Sequence, residues 1–180
     1  ADEAALEVLV EAVVARPIQR VGNLRLSGRG YRPIVSSVKQ VIRYYTFAER
    51  VDALVVVLDS DDTVPHGSAL DAVESKPSRQ CRLCRLHGDL EAERSRLESP
   101  VRLCLGVAMP AIEAWYLCGE DAHVTEAAWV AGYAPPARRP FDRNGLKRRV
   151  YGTERPGIGL ATDVAVRHAR RLALDLTALE

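Results

Sequence analysis

Asp59 and Asp61 stand one residue apart at the end of an aliphatic run, Ala53-Leu-Val-Val-Val-Leu58. In an extended segment alternate side chains share a side, with Cα atoms roughly 7 Å apart. Two carboxylates so placed repel each other by about 1 kcal/mol or more unless a cation sits nearby. Mg²⁺ takes hard oxygen ligands, commonly one or two carboxylates completed by water and phosphate. Asp59 and Asp61 are therefore the candidate ligands for Mg²⁺ or Mn²⁺. They also lie just past the C-terminal end of an expected strand, which is where open α/β sheets bind ligands. The plainer reading is a solvated turn in which Asp62 or Thr63 caps a helix.

A second acidic signal follows the next aliphatic run, Val101–Val107, in Pro110-Ala-Ile-Glu113-Ala-Trp115-Tyr. A glutamate in the first turn of a helix at a strand's C-terminal end can reach the same crevice. Taken alone, Glu113 could equally do no more than complement the helix dipole, with Trp115 filling the core.

Basic residues crowd another stretch: Arg138, Arg139, Arg143, Lys147 and Arg148, with Phe141 and Tyr151 interleaved. The formal net charge is only +1, so any attraction to nucleic acid has to come from a local patch of this kind. Such a patch would hold phosphates with an affinity that falls as salt rises, and the rings could stack on bases. The alternative is a solvated connector. Cys81-x-x-Cys84-x-x-His87 has the spacing of half a zinc site. Cys104 and Cys118 form no partner motif, so structural Zn²⁺ is the less favoured reading and two thiols at the start of a helix the more favoured one. His168 falls on an apolar stripe and reads as a core or interface histidine.

The elements that must position these groups follow from periodicity. Helices are expected over 2–15, from Ile34 to Tyr45, over 86–97, near 124–131 and over 161–179. Pro110 is expected as the first residue of a helix whose body is Ala111–Leu117. Strands are expected over 18–26, 53–58 and 101–107. Residues 63–98 read as an insertion carrying the cysteine pair, and 132–159, rich in Pro, Gly and Arg, as a basic loop. Helices alternate with aliphatic strands, so the expected fold class is α/β: a mostly parallel sheet sandwiched between helices, in one domain over 1–180. No apolar run approaches the ~18 residues of a membrane span. Residues 1–15 lack the basic start of a signal peptide, and four cysteines fit reduced thiols. A cytoplasmic protein is expected.

Asp59-Ser-Asp61 on an aliphatic strand, followed some fifty residues later by Ile112-Glu113-Ala114-Trp115, resembles the Toprim-like proteins, a group that includes relatives of the OLD-family and RloB-type defence nucleases. The resemblance covers roughly Asp2 to Leu117 and implies a Toprim-like, Rossmann-like fold. Ala1-Asp2-Glu3 looks like the tail of the family's first acidic motif, with Asp2 at its last acidic position. The strand and glutamate that open that motif are absent from this chain, which reads either as a trimmed domain or as a degenerate homologue. The resemblance further implies that Asp59 and Asp61 bind Mg²⁺ and that Asp59 and Glu113 are catalytic. The activity it implies is phosphodiester cleavage of nucleic acid, in phage defence and with a partner ATPase. The alternative is a non-catalytic module that keeps the scaffold and binds nucleic acid or a protein.

Overall fold

A computed structural model describes residues 2–21, 31–47, 51–60, 63, 81–98, 100–121, 125–132 and 142–176. In chain order the elements are α1 (Asp2–Val14), α2 (Tyr31–Phe47), β1 (Ala53–Asp59), α3 (Arg82–Arg94), β2 (Arg102–Ala108), α4 (Ile112–Tyr116), α5 (Glu126–Gly132), α6 (Arg143–Tyr151) and α7 (Ile158–Leu174). The protein is mixed α/β and mostly helical. Among the described residues its sheet is the parallel pair β1–β2. The chain divides into two compact units. One comprises Ala1–Arg20, Asp59–Asp62 and Ala108–Glu180; the other comprises Val21–Leu58 and Thr63–Val107.

In the second unit α2 turns Val35, Val38 and Ile42 inward, a helical stripe as the sequence predicts. They meet Leu86 and Leu90 of α3, Val56 of β1 and Val101. The cysteine pair opens α3: the Cys81 sulfur accepts the Cys84 N–H at 3.3 Å, so the buried thiol caps the helix. His87 faces solvent. The spacing that suggested a zinc half-site thus serves a helix start.

In the first unit α1 lies along α7. Ala5 and Leu9 share a core with Val164, Ala165, Ala169 and Leu172. The strand expected over 18–26 is not formed where it is described. Over 18–21 the chain instead folds back on α1: the Ile18 N–H donates to Glu11 Oε1 at 3.0 Å, and Arg20 pairs with Glu3 at 2.9 Å. The Ile18 N–H is thereby used on a side chain and is not available to a ladder. The helix expected from Pro110 starts later, at Ile112, because Ala111 is still extended (φ −156°, ψ 162°).

The largest departure is α6, inside the stretch expected to be loop. Asp142 caps it, its Oδ1 accepting the Gly145 N–H at 2.6 Å, and Gly152 ends it in the left-handed conformation at φ 73°. Leu146, Val150 and Tyr151 provide its buried face. A Cβ at Gly152 would meet nothing within 4 Å, so a substitution there costs only backbone strain. Gly152→Ala is expected to lower stability by about 1 kcal/mol in urea denaturation. An unchanged midpoint would show that the left-handed cap contributes nothing.

Candidate active site at the end of the first strand

The segments that follow β1 and β2 are tied together inside the first unit. The Ser60 N–H donates to the Ala108 carbonyl at 2.8 Å, and the fully buried Ser60 hydroxyl reaches the Pro110 carbonyl at 3.5 Å. This brings Asp59 to the start of α4. The N-cap residue Ala111 has no side-chain acceptor, and the first N–H of the helix, from Ile112, donates instead to Asp59 Oδ1 at 3.0 Å. A carboxylate from another element thus serves the function of a local cap. The second oxygen, Oδ2, accepts from Arg143 Nη2 at 2.7 Å, so the first residue of α6 neutralises the last residue of β1.

One residue into α4, Glu113 is 6% exposed. Burial pushes its carboxyl above the usual carboxylate range, and the negative charges of Asp59 and Asp2 push the same way. Its own backbone N–H and the Lys147 ammonium oppose the shift. Tyr116, one turn further on, donates its hydroxyl to Asp2 Oδ1 at 3.2 Å. Burial, reinforced by neighbouring carboxylates, holds both Tyr116 and Tyr151 well above the usual phenol range. Arg171 of α7 fastens the end of α4 through the Tyr116 carbonyl at 2.9 Å.

The arrangement gathers three acidic residues far apart in sequence, Asp2, Asp59 and Glu113, with Arg143 and Lys147 as counter-charges and two neutral phenols. Two carboxyls in unlike surroundings, one clamped by a guanidinium and one buried with raised proton affinity, are suited to acid–base work. Asp59 and Glu113, predicted together, are brought together. Asp61, Arg138 and Arg139 lie outside the described residues. Arg143 and Lys147, predicted for nucleic acid, stand four residues apart on α6, and both act on the acidic group. Arg148 is exposed and pairs with Glu154 at 3.2 Å. His168 stacks on Tyr116 with ring centroids 6.1 Å apart, and burial lowers its proton affinity. The partnership of Arg143 with Asp59 left no sequence signal, because the two are 84 residues apart.

Among the described residues no three His, Cys, Asp or Glu side chains converge as a metal cluster. Mg²⁺ needs no more than one or two protein carboxylates. Asp59 and Glu113 carry hard oxygens of that type, but both Asp59 oxygens are engaged and burial raises the proton affinity of Glu113, so a cation on Asp59 Oδ2 would have to compete with Arg143. Compared with protein-family models, curated proteins and solved structures, the chain matches none.

Proposed function

We propose that this chain is a Mg²⁺-dependent, Toprim-like domain that cleaves phosphodiester bonds in nucleic acid. The observation that carries the reading is the meeting of Asp59, from the end of β1, with the buried Glu113 of α4, whose carboxyl favours its proton. When bound at Asp59, with Asp61 beside it in sequence, the metal ion would supply an activated water and stabilise the leaving oxygen. The chain's own residues do the rest. Glu113 holds and releases a proton within the site. Lys147 balances the local negative charge and, with Arg143 and Arg148, attracts the phosphate backbone. Defence against phage, alongside a partner ATPase, belongs to the same proposal and rests on the resemblance of the two acidic motifs.

A second reading has its own observation. Both oxygens of Asp59 are engaged within the fold, by Ile112 and Arg143, as expected of a structural clamp. On that reading the chain is a non-catalytic module that binds nucleic acid or a protein through α6. Calorimetric titration with Mg²⁺ and Mn²⁺ separates the two, run on the intact chain and on the double variant Asp59→Ala/Asp61→Ala, with cleavage assayed on the same samples. Metal binding that disappears in the variant, together with cleavage by the intact chain, is the expected outcome. An intact chain that binds neither ion at millimolar concentration leaves the module reading standing.

A further inference from the structure

A cleft of about 540 Å³ lies between α2 and α3, within the second unit and built from residues other than those of the acidic site. Its volume is in the range of small-molecule sites. Arg32, Ser36 and Lys39 line it from α2, and Arg85, Gly88 and Asp89 from α3. Three cations therefore face one carboxylate, and that carboxylate is already engaged, accepting the Tyr31 hydroxyl on Asp89 Oδ2 at 3.0 Å. Tyr31 also organises the cationic wall. The Arg85 guanidinium lies 4.7 Å from its ring centroid and that of Arg82 lies 5.6 Å away. Ring and guanidinium attract in this geometry, which holds Arg85 in place beside the cleft. Along α2, Arg32, Ser36 and Lys39 recur at helical spacing on one face, with the two cations roughly 10 Å apart along the axis. A hydroxyl between two cations is a polar row that a phosphodiester chain can follow. At Gly88 the cleft wall is bare: an added Cβ would meet nothing within 4 Å.

We infer that this cleft is a binding site for phosphate groups, taking the backbone of a single-stranded nucleic acid or the phosphates of a free nucleotide. Phosphate suits the lining because Arg presents a planar fork of donors, Lys a point charge and Ser a further donor. The inference does not depend on the cleavage chemistry proposed for Asp59 and Glu113.

Fluorescence anisotropy of a labelled oligothymidylate tests it, read without divalent cation so that the outcome is independent of any nuclease activity. Gly88→Glu places a negative charge in open space, and Lys39→Glu reverses one wall charge. Gly88→Ala is the control for the helix itself, and circular dichroism checks that each variant is folded. Relative to the intact chain, each charge variant is expected to weaken binding roughly tenfold or more at low salt and less as salt rises. Competition by ATP or inorganic pyrophosphate would identify terminal phosphates as the preferred source, and its absence the nucleic-acid strand. Charge variants that bind as well as the intact chain overturn the site. So does an intact chain that binds none of the three probes.

Discussion

Glu113→Gln is expected to lower cleavage by roughly 10²–10⁴-fold, the usual contribution of a positioned acid or base, while leaving the fold as stable as before or more so. The amide keeps the shape of the side chain and its contact with the α4 backbone but carries no proton to exchange. Stability responds to a different property. The folded protein holds the Glu113 carboxyl above its ordinary value because the charged form is buried beside Asp59 and Asp2. A carboxyl raised on folding favours the folded state fully below its unfolded value, and that contribution is lost as pH rises through the raised folded value. The intact chain therefore loses stability over that window, and the Gln variant lacks this part of the slope. Urea denaturation at acid and mildly alkaline pH, paired with a cleavage assay, reads both effects. Full cleavage by the variant would remove Glu113 from the chemistry, and a large loss of stability would make it a structural residue.

Asp59→Ala is expected to destabilise the protein by about 2 kcal/mol. The lost cap on Ile112 is worth about 1 kcal/mol. A charge-assisted hydrogen bond such as that from Arg143 contributes about 1.5–3 kcal/mol when buried, and less here because the two side chains are 33% and 35% exposed. Asp59→Asn should recover the cap and lose only the ion pair, so the difference between the two variants separates the contributions. Arg143→Ala acts in the opposite direction on metal. It removes the cation competing for Asp59 Oδ2, and calorimetry should find Mg²⁺ bound more tightly than by the intact chain. Weaker binding in that variant would show that Arg143 supports the metal site instead of competing for it.

The strands and most helices were legible because their signals are local. The aliphatic runs before Asp59 and Pro110 became β1 and β2, and the stripes at Val35, Val38 and Ile42 and at Val164, Ala165 and Leu172 became core faces. The site was half legible: strand ends direct side chains to one crevice, which linked Asp59 to Glu113. Its positive half was not. Helix α6 has few apolar residues among many arginines, and its composition obscured two cues that were present, Asp142 before it and Gly152 after it. Once α6 is a helix, Arg143 and Lys147 share a face and turn toward the acidic residues rather than forming a loose basic loop. At Cys81 the sequence was more legible: the favoured reading, two thiols at a helix start, is what the structure has, the Cys81 sulfur serving as the cap. A tertiary contact such as Tyr116 with Asp2, 114 residues apart, leaves no trace in any window of sequence.

The discontinuity of the first unit governs the order of events during synthesis. Among the described elements helix α1 emerges first, yet the helix it packs against, α7, emerges last. Contacts of such long sequence separation form slowly, because loop closure must precede any gain. The second unit, whose helices and strands all lie between Tyr31 and Ala108, has its complement of chain much earlier. On the ribosome it can condense while Ala5 and Leu9 of α1 still lack a partner. During that interval the apolar face of α1 lacks the partner that α7 later provides, and a ribosome stalled before Ile158 would leave it so.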